Sequence, residues 1–242
     1  MPSDEQKPSL RFNRIVLKLS GEALAGEKTG INPTILEYVC DEIASIHALG
    51  AQIAIVPGAG NIFRGAAGEA LGMNRVAGDH MGMLATVINS LAIKNALGKK
   101  GVESAVMSAI EMKGIAEPYI IEKADRHLTK GRVVIAAGGT GHPYFTTDTA
   151  AALRAVELGA GALLKASRVE GVYSGNPEKD PDAVKFDEIS FMEVIKKGLR
   201  VMDLTSVSLC MDNRMPIVVF NLFKKGAMKK ILSGGKAGTI IS

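Results

Sequence analysis

Two glycine-rich turns, each emerging from a short apolar run, set the narrowest bound on what this chain can fold into. The first is Gly58-Ala59-Gly60-Asn61-Ile62-Phe63-Arg64-Gly65, after residues 52–56 (QIAIV). The second is Gly138-Gly139-Thr140-Gly141-His142-Pro143-Tyr144-Phe145-Thr146-Thr147-Asp148-Thr149, after residues 132–137 (RVVIAA). A third, Lys18-Leu19-Ser20-Gly21, closes the run RIVLKL. β-Branched runs of this length that stop at glycine read as buried strands. Glycine tolerates φ > 0 and has no Cβ to block close approach, so backbone N–H groups in such a turn can converge on an anion.

Helical spacing fills the intervals. Ile35, Val39, Ile43 and Ile46 recur along residues 33–49, with Asn32 placed to cap that helix and Pro33 at its first position. Met83, Val87, Leu91 and Leu97 mark a longer helix over residues 79–97. The alternation continues through a strand at 102–107, a helix at 119–128, a strand at 132–137, a helix at 147–158 and a strand at 162–165. A loop-rich passage at 167–186 leads to helices at 191–197 and 205–213, a strand at 216–220, a short helix and a last strand at 239–241. This order predicts an α/β fold: a mainly parallel central sheet with helices on both faces, an αβα sandwich. Residues 1–13 read as a flexible N-terminal tail and 14–242 as one domain with a soft division near Ala166. Ligands of such sheets sit at the carboxyl ends of the strands, and all three turns follow strands, so they share one crest.

Composition narrows the function classes. There are 27 glycines in 242 residues, above the usual ~7%, and they cluster after strands. Tryptophan is absent and aromatic residues make up 5%, which argues against a base-stacking nucleic-acid platform. The net charge of +4 lies largely in short clusters such as Lys99-Lys100, Lys196-Lys197, Lys224-Lys225 and Lys229-Lys230. These read as solvated helix ends, and polyanionic small substrates fit the same balance. Cys40 and Cys210 stand alone in apolar surroundings without a CxxC, so neither zinc nor a disulfide framework is indicated. No apolar run reaches the ~18–20 residues of a membrane span and the N-terminus has no signal-peptide core, so a cytoplasmic location is expected.

The motifs carry two readings each. Lys18, at a strand end beside Ser20-Gly21, either places a point charge on a transferring phosphoryl group or faces water. The first glycine turn matches neither a Walker-A loop nor G-x-G-x-x-G, since Phe63 stands at the third glycine; Arg64 after it is either a bidentate phosphate ligand or a surface arginine. Thr146, Thr147 and Thr149 open a helix, where hydroxyls and free N–H groups favour an anion. Asp148 beside them is either a cap or an organiser of Lys18 or Mg²⁺. Lys165 ends a strand and is followed by Ser167 and the structured loop Gly171-Val172-Tyr173-Ser174-Gly175-Asn176-Pro177, in which Tyr173 could stack on a purine. His80 reads as a packing or hydrogen-bonding histidine rather than a catalyst, and Asp79 as a carboxylate placed to accept both hydroxyls of a ribose.

Together the stretches KLSGEAL, GNIFRG, MNRVAGDHMGMLAT, TGHPYFTTDTAA, VEGVYSGNP and the VMDL/VVFN pair resemble the bacterial uridylate (UMP) kinases of the amino acid kinase superfamily, over nearly the whole chain. The resemblance implies Mg²⁺-dependent transfer of the ATP γ-phosphoryl group to UMP in pyrimidine nucleotide synthesis. It implies that Lys18, Leu19, Ser20, Gly21, Gly60 and Arg64 face the ATP phosphates, with Lys165 supporting them and Ser167, Tyr173 and Asn176 at the ATP nucleoside. Ala59, Asp79 and the loop Thr140, Gly141, His142, Pro143, Tyr144, Phe145, Thr146, Thr147 would hold UMP. The UMP half would span about 14–165 and the ATP half about 166–242. Mg²⁺ would be carried mainly by the ATP phosphates, with no protein metal site. Homohexamers, UTP inhibition and a GTP effector are further implications, with no membrane or nucleic-acid partner required.

The chain also departs from the family pattern. Ala59 stands where three successive glycines are usual, His142 where Asn is, and Glu170 and Asn176 where Asp is common. At the effector pocket Lys94 and Arg132 are available, while Gly98 and Ala105 lack the expected side chains. The implied mechanism is direct in-line transfer with Lys18, Arg64 and Lys165 supplying positive charge and Asp148 organising the lysine. Two rivals remain: an acyl-phosphate-forming kinase of the same superfamily, and a nucleotide-sensing regulator without turnover.

Overall fold

The computed structural model describes residues 9–26, 29–63, 72–175, 177, 179–180 and 182–242. A first strand, β1 (Arg14–Leu19), runs through a 3₁₀ turn (Gly21–Leu24) to helix α1 (Pro33–His47) and back into β2 (Gln52–Pro57). Helix α2 (Arg75–Lys99) leads to β3 (Ser104–Ser108), β4 (Glu117–Pro118), α3 (Ile121–Thr129), β5 (Val133–Ala137), α4 (Thr147–Glu157) and β6 (Ala162–Ser167). The chain closes with β7 (Glu188–Ile189), α5 (Phe191–Lys196), α6 (Leu204–Asp212), β8 (Ile217–Asn221), α7 (Ala227–Leu232) and β9 (Thr239–Ile241).

Among the described residues these strands form one nine-stranded sheet in the order β4-β3-β5-β2-β1-β6-β8-β9-β7. Every pairing is parallel except β8 with β9, so the expected α/β architecture holds. The central strands are buried on both faces, which is why they read as continuous apolar runs rather than alternating ones. Side-chain alternation then assigns residues to two cores. Ile15, Leu17 and Leu19 of β1 pack with α1 and α7, while Val16 faces the opposite layer with Ala150, Ala151 and Val207. Lys18 shares the parity of Val16, so its side chain is directed to the layer that contains α4. That single parity decides the site.

Local chemistry explains the element ends. The Asn32 side chain accepts from Ile35 N at 3.1 Å with Pro33 following, as the sequence predicts. Helix α2 starts four residues earlier than expected because Asn74 caps it, accepting from Ala77 N at 2.8 Å, so Asp79 lies one turn inside the helix. The strand expected at 102–107 runs from 104 to 108, and β4 and β7, each two residues long, carry too little sequence signal to be foreseen. By length and composition α2 could cross a bilayer. Here it packs against α1 and strands β2, β3 and β5 and buries Thr86, Asn89 and Ser90, which makes it a core helix. Cys40 and Cys210 are both buried, and burial raises each thiol pKa to about 12, so they are inert packing residues.

Candidate active site

The register of β1 against β6 sets Lys18 directly beside Lys165. Two ammonium groups on neighbouring strands repel, and the fold answers with one carboxylate between them. Asp148, in the first turn of α4, lies 2.8 Å from Lys18 Nζ through Oδ1 and accepts a 2.8 Å hydrogen bond from Lys165 Nζ through Oδ2. Each carboxylate oxygen thus answers one ammonium group at the same distance. Lys165 also donates to the carbonyl of Val201. Burial alone would raise the Asp148 pKa, but attraction to Lys18 and Lys165 outweighs it and holds the carboxyl below its ordinary range. Burial lowers the Lys165 pKa, opposed by Asp148 and reinforced by Lys18. The three groups carry a net positive charge at the carboxyl ends of β1 and β6.

The glycine turns after β1 and β2 meet backbone to backbone. A Cβ on Gly21 would lie 2.3 Å from Gly60 N and 2.6 Å from Asn61 Oδ1, and one on Gly58 would lie 2.8 Å from Gly21 N. Only glycine permits that approach. Gly60 itself is less crowded, its nearest obstacle being Glu22 Cγ at 3.6 Å. Tyr144 and Arg214 are the described non-glycine residues with positive φ, so Ala59 carries its Cβ without backbone strain. Ser20 serves locally, accepting from Ala23 N at 3.2 Å to cap the 3₁₀ turn.

A cavity of about 350 Å³ opens between the Ala59–Gly60 turn, helix α2 and the loop before α4. Of the expected residues it gathers Ala59, Gly60, Asp79, Thr140, Phe145, Thr146 and Thr147. Asp79 is already engaged: Arg75 Nε approaches both its oxygens at 2.9 Å and Tyr144 N–H donates to Oδ2 at 2.7 Å. Tyr144 holds φ 72° to make that bond, and the Arg75 guanidinium lies 5.6 Å from its ring centre. Thr146 is the N-cap of α4, accepting from Asp148 N and Thr149 N at 3.1 Å. Its hydroxyl and that of Thr149 both donate to Asp203, at 2.5 and 2.9 Å, which fastens the start of α4 to the start of α6.

Other expected residues stand further from this centre. Arg64 and Asn176 lie outside the described residues. Ser167 ends β6 and its hydroxyl accepts from Val169 N at 3.2 Å. Tyr173 bridges to Lys185 in the hairpin-like passage beyond, and Glu170 pairs with Lys224 at 2.9 Å. His142 turns back on its own loop through Thr140, within 3.2 to 3.3 Å. His80 is exposed on α2, so it is not a packing residue.

Sequence reasoning missed Arg75, Thr86, Asn89, Arg154 and Asp203. Thr86 Oγ1 accepts from Gly138 N at 2.8 Å, and Asn89 Nδ2 donates to Gly58 O at 2.7 Å. Arg154, buried in α4, stacks 3.8 Å from the Tyr119 ring centre, pairs with Glu157 at 2.7 Å and donates to Gly139 O at 3.2 Å. A visible signal existed for three of them: Thr86 and Asn89 are polar residues on the buried stripe of an apolar helix, and Asp203 stands just before an apolar helical run.

Comparison with known proteins agrees with this geometry. The family model described as the amino acid kinase family matches residues 13–221. The uridylate kinase of Pediococcus pentosaceus is 55% identical over 234 residues, covering 96% of this chain and 97% of that protein. That of Alcanivorax borkumensis is 51% identical over 242 residues, covering 100% and 96%. Among solved structures, the UMP kinase from Bacillus anthracis superposes with a TM-score of 0.94 at 38% identity, covering 96% of each chain. The UMP kinase from Ureaplasma parvum gives 0.91 at 36% identity, over 96% of this chain and 99% of that one.

Proposed function

The chain belongs to the amino acid kinase family, and from that premise we propose the activity of its site. It is a UMP kinase, an ATP-dependent nucleoside monophosphate kinase that transfers the γ-phosphoryl group reversibly to UMP, giving UDP and ADP for pyrimidine nucleotide synthesis. The observation that carries the assignment of roles is the Lys18–Asp148–Lys165 triad at the meeting point of the glycine turns. The UMP phosphate oxygen is a nucleophile at neutral pH, so transfer needs no general base. It needs two polyanions brought in line and their charge neutralised.

Lys18 and Lys165 flank the transferring group, and the Gly21 and Gly60 turns present backbone to the phosphate oxygens. Asp148 keeps the two ammonium groups apart and aimed. Arg64 adds a bidentate contact to the phosphates. Asp79 receives the ribose hydroxyls of UMP, and the Thr140–Thr147 loop encloses uracil and phosphate. Leu19 and Ser20 line the ATP phosphate path, while Ser167, Tyr173 and Asn176 receive the ATP nucleoside. Roughly, residues 14–165 serve UMP and 166–242 serve ATP.

A kinase using ATP works with a divalent cation, taken here as Mg²⁺. Asp148 is engaged by two lysines, and in this reading the nucleotide phosphates would carry most of that ion's coordination. The ion supplies further positive charge on the phosphoryl oxygens.

The proposal extends to a cytoplasmic homohexamer inhibited by UTP at the UMP cavity. Met81, Leu84, Ile88 and Leu91 form an exposed apolar stripe at helical spacing on the outer face of α2, which supports self-association. A GTP effector would meet a cavity lined by Lys94, Gly98, Ala105 and Arg132, in which Arg132 is paired with Glu103 at 2.8 Å. The deciding experiment is ADP release from ATP and Mg²⁺ with UMP, CMP, dUMP, TMP, carbamate or glutamate, each with and without GTP. Turnover confined to UMP supports the assignment. Turnover with a carboxylate or carbamate, or none with UMP that still binds, overturns it.

A further inference from the structure

Thr86 and Asn89 sit three residues apart on α2, on one face, and each grips a different glycine turn. Thr86 Oγ1 accepts from the N–H of Gly138, the first residue after β5. Asn89 Nδ2 donates to the carbonyl of Gly58, the first residue after β2. Both side chains are buried, Asn89 completely. Asn89 also forms a reciprocal amide pair with Asn61, at 2.9 and 2.8 Å, and Asn61 reaches on to Gly30 O at 3.0 Å. Asn61 in turn is the side chain against which the Gly21 turn packs, since a Cβ on Gly21 would strike it. One helical turn therefore fastens all three turns of the crest.

We propose that Thr86 and Asn89 are positioning residues for phosphoryl transfer, fixing the turn at Gly138 and the turns at Gly58–Gly60 and Gly21 at a set separation. This inference rests on the assignment of phosphates to those turns made above. Strands β2 and β5 are paired at Ala54–Val134 and Ile55–Ile135, but the turns beyond them are glycine-rich and carry no ladder of their own. Gly58 N–H already bonds Leu19 O at 2.7 Å, joining the turns after β1 and β2, and Gly141 N–H closes the third turn on Gly138 O at 2.9 Å, so what α2 adds is a tie between that third turn and the other two. A buried hydroxyl and a buried amide supply bonds of fixed length from one rigid helix. Asn89 is wholly buried, and Thr86, though it lines the cavity assigned to UMP, has its hydroxyl engaged by Met83 O and Gly138 N, so losing either bond should disturb the alignment of the two substrates more than the binding of either one.

The test is steady-state kinetics on Thr86→Val, Thr86→Ser and Asn89→Asp, with Ile93→Ala as a buried control on the same helix and Lys18→Ala as a site control. Thr86→Val keeps shape and removes the acceptor; Thr86→Ser restores it. Asn89→Asp, when ionised, sets lone pairs against Gly58 O and Asn61 Oδ1, and when protonated it regains one donor. The expected result is a kcat lowered by about 10- to 100-fold in Thr86→Val and in Asn89→Asp, with both KM values little changed. Thr86→Ser returns most of the activity, and Asn89→Asp recovers as the pH is lowered. Thermal melts normalise each rate to folded protein. Parent-like kcat per folded molecule in both variants overturns the inference, as does a loss matched by Ile93→Ala without serine rescue or acid recovery. If Lys18→Ala also turns over normally, the assignment of the site has failed. If Lys18→Ala is inactive while the α2 variants are not, only this inference has.

Discussion

Lys18 and Lys165 occupy paired positions on adjacent parallel strands, and Asp148 answers both with separate oxygens of one carboxylate. Like charges at neighbouring positions of a buried sheet are tolerated only with such a counter-ion. The arrangement leaves one surplus positive charge aimed at the crest where the glycine turns converge.

Lys18→Ala removes a charge that matters most when charge moves in the transition state. Its kcat is expected to fall by at least about 10²-fold while UMP binding survives, following the magnitude of lost electrostatic stabilisation at other sites. Single-turnover ADP formation and a UMP titration check both halves; near-parent turnover removes Lys18 from its role.

Asp148→Asn tests the triad through pH. In the parent, burial holds the Lys165 pKa below its ordinary 10.5 and Asp148 partly restores it. Activity that needs the ammonium form is therefore lost on the alkaline side earlier than for an ordinary lysine. Without the carboxylate the Lys165 pKa falls further, so the alkaline limb of kcat should move to lower pH. An unmoved limb would show that Lys165 is not the group titrating there.

The Asp148 carboxyl also links folding to acid. Its folded pKa lies below the ordinary 3.8, so its contribution is full above that value and disappears as pH falls through the depressed one. The stability advantage of the parent over Asp148→Asn should therefore be largest near neutral pH and shrink as the pH falls below 3.8. Parallel stability curves for the two proteins below pH 5 would contradict this.

Gly21→Ala and Gly60→Ala form a steric contrast. The first drives a methyl group into Gly60 N at 2.3 Å, the second meets nothing nearer than 3.6 Å. Gly21→Ala should lose about 1–3 kcal/mol of stability, the usual cost of overpacking, and lose activity with it. Gly60→Ala should melt close to the parent. Equal melting temperatures for the two would refute the close approach of the turns.

Asp203→Ala removes the N-cap of α6 and the acceptor for Thr146 and Thr149. A cap alone is worth about 1 kcal/mol, and the stranded hydroxyl of Thr149 adds to the loss. Denaturant titration should show a cost above that of a cap. A cost within a few tenths of a kcal/mol of zero would mean that the α4–α6 tie is dispensable.

Much of this protein was written in its sequence by local rules. Strand runs ending at glycine, the Asn32–Pro33 start of α1 and the helical stripes fixed the order of elements and the α/β class, because each depends on residues within a few positions of one another. The short edge strands β4 and β7 were not legible, since two residues carry no period. Within the site, Lys18, Lys165, Asp148 and the glycine turns could be named as chemistry, the turns placed on one crest and Asp148 beside Lys18, but the second contact of Asp148 with Lys165 could not be read. Their meeting depends on β1 pairing with β6 across most of the chain and on the side-chain parity that turns Lys18 toward α4. Thr86, Asn89 and Asp203 show the same limit: a buried polar side chain announces that it has a partner, and only tertiary packing says which one, because that partner is brought near by strands and helices far apart in sequence.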